Sequence, residues 1–270
     1  MTDHLRRELA PIPEAAWEQI DETAARVLKT QLTARTIVDF DGPKGWEFSA
    51  VNLGEIDVLD QPGAHQGLPW GRRKVLPLLE LRVPFTLSMR EVDNAARGSD
   101  AIDLDKLEEA ARQTATFEET AVYRGLKEGA ITGIAEGSSH EPLQLPENTG
   151  DFPSTIAEAV RVLTLSGTDG PFAVVLGSEP WAALMQSGTA GYPPQRIIRN
   201  LTDGDILLSS GLNAGLVVST AGGHFQLTVG QDHAIGYAGH DRDSVELFLT
   251  ETFTFRVLNP NAAVALQAAE

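Results

Sequence analysis

The feature that most restricts the fold is a long stretch near the end of the chain, SVELFLTETFTFRVLNP, in which side-chain character alternates with a period of two. Such alternation of aliphatic, aromatic and β-branched residues is typical of a β-strand with one face in the core. Phe248, Thr250, Thr252 and Thr254 share one face, opposite a largely apolar face that Glu251 interrupts. We therefore expect a half-buried strand that lies edge-on to a neighbour, with the Phe248 face directed at something other than the core.

The composition excludes several classes of protein. The chain has 270 residues and no cysteine, so disulfides, thiolate metal sites and cysteine nucleophiles are absent. Its net charge of −17 opposes binding to nucleic-acid phosphates. No apolar run is long enough to span a bilayer, and the start, MTDHLRREL, lacks the apolar region of a signal peptide. We expect a cytoplasmic protein that binds neither membranes nor nucleic acid.

Helices and strands alternate irregularly along the rest of the chain. A helix is expected from Pro13 to about residue 30, where Ile20, Ala24, Val27 and Leu28 form an apolar stripe. A long helix is expected over 103–128, and shorter helices over 153–166 and 178–188. FAVVLG and DILLSS read as buried strands, and GLVVSTAGGHFQLTVG predicts a hairpin that turns at Gly222 and Gly223.

Two extended segments, 46–59 and 72–89, enclose a Gly- and Pro-rich tip, DQPGAHQGLPWG. An isolated two-stranded arm is at best marginally stable in water, and this one carries many aliphatic residues. It therefore requires support, and we infer that it lies on another subunit; the alternative is a hairpin folded back on its own domain.

Motifs of catalysis are missing from the sequence. It contains no GxSxG elbow, no HExxH pair, no GxGxxG and no phosphate-loop lysine. Asp232, His233, His240 and Asp241 could be imagined as a metal site, but turn residues and polar strand ends explain them better. A calcium-loop fragment at 39–42 lacks its remaining ligands. We expect no catalytic residue and no metal site.

Five segments, in this order and spacing, closely resemble the encapsulin shell proteins: LRRELAPIPEAAWEQID, VDFDGPKGWEFSAVNLG, WGRRKVLPLLELRVPFTL, GGHFQLTVGQDHAIGY and LTETFTFRVLNPNA. The resemblance covers residues 4–266 and implies an α+β fold of the HK97 phage-capsid type. It implies an N-terminal helix with a lumen-facing segment (1–45), an E-loop (46–75), a peripheral domain with the long helix (76–133), an axial domain (134–225) and the C-terminal strands of the peripheral domain (226–270).

The resemblance also implies a function. The chain would be a self-assembling shell protein without a reaction of its own, forming an icosahedral homo-oligomer of about 60 copies or a multiple. The shell would enclose a dye-decolourising peroxidase or a ferritin-like protein, recognised by its C-terminal targeting peptide, for oxidative-stress defence or iron storage. The alternative is a major capsid protein of a phage or prophage, and a less favoured one is a protease or bacteriocin.

Two sites are implied by the same resemblance. The cargo peptide would bind a groove between the N-terminal helix and the final strand, formed by Leu28, Ile37, Asp39, Asp232, Phe248, Thr250 and Thr252. The five-fold pore loop would be formed by Gly188, Thr189, Ala190, Gly191 and Tyr192.

A flavin cofactor is a weaker implication. Some relatives carry a tryptophan after the FTL segment, where this chain has Arg90, although the second aromatic, Tyr192, is present. We therefore expect no cofactor.

Overall fold

The structure, a computed structural model, describes residues 4–58, 70–187 and 192–268. Its helices are α1 (Glu14–Gln31), α2 (Met89–Ala96), α3 (Asp105–Tyr123), α4 (Ile134–Gly137), α5 (Phe152–Leu165), α6 (Ser178–Gln186) and α7 (Pro194–Thr202). Its strands are β1 (Asp39–Asp41), β2 (Ala50–Val58), β3 (Gly71–Pro77), β4 (Leu79–Ser88), β5 (Leu143–Leu145), β6 (Phe172–Leu176), β7 (Ile206–Leu208), β8 (Gly215–Ser219), β9 (Phe225–Val229), β10 (Ala234–His240), β11 (Ser244–Val257) and β12 (Ala263–Ala268).

The alternating stretch forms β11, the central strand of a five-stranded sheet. β4 pairs with β11 along one edge from Ser244 to Phe253, while β10 and then β9 pair along the other. The expectation of an edge position is therefore wrong. The expectation of a half-buried strand is also wrong, because Phe248, Thr250, Thr252 and Thr254 are all buried. Alternation separates the two faces of a strand, but it does not show what covers each of them.

Helices α1 and α3 cover the apolar face of this sheet. Ile20, Ala24, Val27 and Leu28 of α1 join one buried cluster with Leu249 and its neighbours on β11. Burial of each such aliphatic side chain contributes about 1.5–3 kcal/mol. The helix predicted from Pro13 is confirmed, with its start and end within one residue. This packing places α1 beside β10, which is the edge strand on that side.

A second five-stranded sheet has the order β5-β12-β8-β6-β7 and carries α5 and α7. β12 is the last strand of the chain, and it pairs with β5 and β8 in this sheet and not with β9 or β11. Its run from Ala263 to Leu266 is buried on both faces, as expected for an interior strand. The segment 226–270 thus contributes strands to both sheets.

The prediction of a hairpin around Gly222 and Gly223 is wrong. β8 belongs to the second sheet, while β9 pairs with β1 and β11 in the first. The two glycines do take positive φ, 83° and 75°, but they turn the chain from one sheet to the other. A local turn signal does not determine which strands pair across it.

The arm predicted from the extended segments is present as an antiparallel pair of β2 and β3, with a register irregularity between Asn52 and Ile56. Ile56, Val58 and Val75 are exposed on it. β4 continues from the arm into the first sheet, so the arm is anchored at one end. None of the helices in the described ranges is long and apolar enough to cross a membrane.

The long helix differs from the sequence expectation, and helices α2, α4 and α7 were not predicted. The long helix α3 ends at Tyr123, five residues before the predicted end, and Gly125 follows with a φ of 97°. A left-handed glycine just beyond the last turn is a common helix stop. Helix α7 was not predicted, because Ile198 and Thr202 are its only buried residues and its apolar stripe is correspondingly short.

Candidate functional site

A groove of about 350 Å³ lies between α1 and the edge strand β10. We call it the α1–β10 groove. Its helix side contains two small residues, Ala24 and Ala25, whose size leaves room beside Leu28. The full lining is Arg7, Asp21, Ala24, Ala25, Leu28, His233, Ala234, Ile235 and Leu249.

The groove has an apolar centre and charged surroundings. Ile235 and Leu249 are directly paired across β10 and β11 and form the apolar strand side. Arg7 and Asp21 form an ion pair of 2.7 Å on the helix side, and the Arg7 guanidinium also stacks 3.9 Å from the centre of the Trp17 ring. An extended aliphatic segment with a polar or charged neighbour would match this lining.

The backbone of β10 is a second feature of the groove. β10 pairs with β11 on one side, and on its other side the Tyr237 N–H donates to the Leu5 carbonyl at 2.8 Å. The N-terminal segment therefore already extends the sheet by one contact. Edge strands of this kind can accept an extended peptide through main-chain hydrogen bonds.

Next to the groove lies a buried cluster of five charged or titratable residues, Arg35, Glu118, Asp232, His233 and Glu251, which we call the charged cluster. Arg35 binds Glu118 through both Nε and Nη2, with Nη2 at 2.6 Å from Oε2, and its Nη1 donates to Asp232 Oδ1 at 2.9 Å. His233 Nε2 lies 3.1 Å from Glu251 Oε2 and 3.8 Å from Glu118 Oε2. The cluster joins α3, β11, the start of β10 and the turn after α1.

The charged cluster shifts the pKa values of Glu118, Asp232 and His233. Burial and the charge of Glu251 raise the pKa of Glu118 to about 8, although Arg35 partly offsets this. Burial opposes charge on His233, but the carboxylates of Glu251 and Asp232 outweigh it and raise its pKa to about 10. Burial also raises the pKa of Asp232, but the hydrogen bonds and positive charges of His233 and Arg35 have a larger effect. They hold the pKa of Asp232 well below its usual range.

The residues predicted for the cargo groove do not form a single surface. Leu28 lines the α1–β10 groove, and Asp232 lies in the charged cluster beside it. Ile37 is buried in the core between the two sheets. Asp39, on β1, accepts a hydrogen bond from the Gly223 N–H at 2.7 Å and so stabilises the turn there.

Phe248, Thr250 and Thr252 lie on the face of β11 opposite to Leu249. The Thr250 hydroxyl donates to the Leu81 carbonyl at 2.8 Å, and the Thr252 hydroxyl accepts from the Gln231 N–H at 2.7 Å. These threonines thus stabilise the sheet itself.

Phe248 borders a larger cavity of about 1320 Å³ on that opposite face. Arg82 covers the Phe248 ring, with its guanidinium carbon 4.1 Å from the ring centre. Arg6 and Lys44 also line this cavity. Its basic lining makes it a poor site for a peptide that carries a positive charge.

Sequence reasoning missed most of the groove. Ala24 and Ala25 on α1 and Ile235 and Leu249 on the strands were not among the residues predicted to bind. The sequence could have indicated the strand side of the groove. Leu249 belongs to the apolar face of β11, and an apolar helix stripe is expected to cover that face. The prediction instead placed the site on the polar face.

The pore-loop residues Gly188, Thr189, Ala190 and Gly191 lie outside the described residues. Tyr192, the last residue of that prediction, is exposed just before α7, and its hydroxyl accepts from Asn200 Nδ2 at 3.1 Å. Arg90 lies in α2, whose buried residues belong to the core beside the first sheet, whereas α7 packs in the core of the second. Within the described part of one chain, Arg90 and Tyr192 do not form a stacking site that would fit a flavin.

Comparison with known proteins defines the class. Residues 1–254 match the family model described as encapsulating protein for peroxidase. A type 1 encapsulin shell protein of Rhodospirillum rubrum is 44% identical over 268 residues, which cover 97% of this chain and 96% of that protein.

Solved structures agree on the architecture. A virus-like particle protein from Pyrococcus furiosus matches with a TM-score of 0.67 at 18% identity, covering 93% of this chain and 99% of that one. The capsid protein of an empty GTA particle matches with a TM-score of 0.51 at 14% identity, covering 88% and 90%.

The two sheets, the long helix and the projecting arm are therefore those of the HK97-type capsid fold, which confirms the predicted fold class. Within this class, the extent and identity of the sequence matches are decisive. The chain belongs to the family of type 1 encapsulin shell proteins.

Proposed function

We propose that this chain assembles into a closed icosahedral shell that encloses a cargo protein and binds the cargo's C-terminal peptide in the α1–β10 groove. The observation that carries the peptide site is the groove itself, an apolar channel beside an edge strand with charged residues next to it. Family membership supports the shell, and the family description supports a peroxidase as cargo. A ferritin-like protein is the second candidate cargo.

The shell would have no reaction of its own, since the related proteins are named as shell proteins. A closed shell forms when the rotation that relates neighbouring subunits returns to the first subunit. Icosahedral symmetry then requires about 60 copies or a multiple. The arm of β2 and β3 would lie on a neighbouring subunit, and the segment 188–192 would surround a pore for small molecules. The cytoplasm remains the expected location.

The energetics favour a cargo with several tails. Each buried aliphatic side chain of the peptide contributes about 1.5–3 kcal/mol before ordering costs are subtracted. A groove of this size holds only a few such side chains, so one tail binds modestly. An oligomeric cargo is held more firmly, because its later tails bind at a high effective concentration.

Filling the groove tests this proposal. Ala25 is exposed on α1 and lines the groove, so an Ala25→Trp variant should fold and form shells while it blocks the peptide. We expect the cargo-to-shell ratio in purified particles to fall roughly tenfold or more, which corresponds to the loss of one buried aliphatic contact. Ala15→Trp, at another exposed alanine of α1 outside the groove, is the matched control and should load cargo normally.

Normal cargo loading in Ala25→Trp shells would show that the peptide does not bind in the α1–β10 groove. The cavity beside Phe248 would then be the next candidate. Electron microscopy of particles and mass spectrometry of the proteins that copurify separate a cargo compartment from a phage capsid. A peroxidase or ferritin-like protein supports the proposal, whereas portal or terminase proteins support the alternative.

A further inference from the structure

The charged cluster carries more negative charge than its one arginine can neutralise. Glu118 and Glu251 are fully buried, and Asp232 is half-buried beside them. When the imidazole of His233 is neutral, the three carboxylates exceed the guanidinium of Arg35 by two negative charges. Buried charges are stable only when they are paired or bound to a metal, so this excess requires a compensating cation or bound protons.

Two buried atoms of the cluster also lack hydrogen bonds. Glu251 Oε1 and His233 Nε2 are buried without a hydrogen bond of good geometry, although Nε2 lies 3.1 Å from Glu251 Oε2 and pairs with it when the imidazole is protonated; the side chain of His233 is 9% exposed. A buried polar atom left unpaired has an energetic cost of about 1–3 kcal/mol in proteins. Both atoms have a lone pair available when the imidazole is neutral, and lone pairs are what a metal ion binds.

The positions of the ligand atoms suit one metal ion. Ligand atoms of Glu118, His233 and Glu251 all lie within 4.8 Å of one another. Two ligands each about 2.1 Å from a tetrahedral ion are roughly 3.4 Å apart. The distances from His233 Nε2 to the nearest oxygens of Glu251 and Glu118, 3.1 and 3.8 Å, bracket this value.

The surroundings orient these ligands. Asp232 Oδ1 lies 3.3 Å from His233 Nδ1, on the ring nitrogen opposite to Nε2. A carboxylate in this position keeps the proton on Nδ1 and leaves Nε2 free to bind a metal, an arrangement common in metalloproteins. Arg35 holds both Asp232 and Glu118 and thereby fixes the carboxylates on two sides of the imidazole.

We propose that Glu118, His233 and Glu251 bind a divalent transition-metal ion, with Asp232 orienting the histidine and Arg35 orienting Asp232 and Glu118. One imidazole and two carboxylates form a ligand set suited to Zn²⁺, Fe²⁺, Co²⁺ or Mn²⁺. An ion would reach the site through the α1–β10 groove, because His233 lines both. Binding would tie the start of β10 to α3 and β11.

Metal binding competes with protons at this site. His233 must be neutral and Glu118 ionised to bind the ion, and the facing groups are Arg35, Asp232 and Glu251. An ion and protons therefore compete for the same ligand atoms.

Stoichiometry tests the proposal. Purified wild-type shells are stripped with EDTA, desalted, incubated with Zn²⁺ or Co²⁺ and analysed by elemental mass spectrometry. We expect close to one ion per subunit and a higher melting temperature. His233→Gln and Glu251→Gln should reduce affinity at least tenfold, while His240→Ala, at an exposed histidine of β10, is the matched control and should bind as wild type does.

A measurement on the wild type alone keeps the proposal testable if either variant fails to fold. Anomalous scattering from Co²⁺-loaded crystals should place the ion between Glu118, His233 and Glu251, and X-ray absorption should show a single imidazole ligand. Wild-type shells that retain no ion, or that hold it at another place, would overturn the proposal. Equal affinity in wild type and His233→Gln would overturn it as well.

Discussion

At the scale of single residues, Gly236 on β10 decides how closely Phe248 of β11 can pack. Gly236 lies opposite Phe248 in the register of the two strands, and a Cβ added at Gly236 would lie 2.2 Å from the Phe248 ring. The ring therefore rests directly on the glycine backbone. Arg82 covers the ring from the β4 side, which leaves Phe248 only 4% exposed.

This contact predicts different effects for two similar substitutions. Gly236→Ala should destabilise the protein by about 1–3 kcal/mol, because the added methyl group forces Phe248 and Arg82 to move. Gly239→Ala on the same strand should have little effect, since the nearest atom would be 3.9 Å from its Cβ. Chemical denaturation of both variants measures the difference, and equal stability would show that the Phe248 ring moves without strain.

At the scale of elements, the charged cluster connects pieces that are distant in sequence. It binds the turn after α1 to α3, to the start of β10 and to the middle of β11. Glu119, the next residue of α3, continues the connection by accepting from the Ala34 N–H at 2.7 Å and from the Ser209 hydroxyl at 2.6 Å. The region beside the groove is therefore held by polar contacts as well as by apolar packing.

The cluster predicts a loss of stability at alkaline pH. His233 has a pKa of about 10 in the fold against 6.5 in its absence, so its contribution is complete below about pH 6.5 and is lost as the pH rises through about 10. Glu118, raised from 4.5 to about 8, contributes in the same direction, fully below about pH 4.5 and less as the pH rises through 8. The melting temperature of metal-free protein should fall between pH 7 and pH 10.

His233→Gln separates this effect from general alkaline unfolding. The glutamine cannot take up a proton in this range, so the melting temperature of the variant should depend less steeply on pH than that of the wild type. Identical slopes in the two proteins would mean that the histidine does not hold its proton in the fold.

At the scale of the whole molecule, the described part of the arm exposes several aliphatic side chains to water. Ile56, Val58 and Val75 are exposed on β2 and β3, and a two-stranded arm does not bury such residues alone. Contact with a neighbouring subunit would remove them from water and supply part of the energy of assembly.

Charges on the arm should prevent assembly without unfolding the subunit. An Ile56→Glu, Val58→Glu double variant should give soluble subunits or small oligomers, because two carboxylates would be buried at the subunit contact. Glu55→Ala is the matched control, since it breaks only an exposed ion pair of 3.0 Å with Lys74 and should still form shells. Size exclusion with electron microscopy gives the result, and intact shells from the double variant would exclude the arm from assembly.

Local patterns in the sequence were enough to predict the main elements and the family. The apolar stripe of α1 and the alternation along β11 are local patterns, and each predicts the type of its element, although packing and pairing with distant residues stabilise both. The five segments resembling encapsulins identified the family and with it the fold, which the sequence relatives and solved structures bear out.

Strand pairing and the position of the groove could be seen only in the folded structure. Nothing in the local sequence places β12 in the second sheet or separates β8 from β9, because pairing depends on long-range contacts. For the same reason, Leu28 and Phe248 could be assigned to one groove from the sequence although the sheet lies between them. The charged cluster is the clearest case, since Arg35, Glu118, His233 and Glu251 are far apart in the chain and meet only when α3 packs on β11.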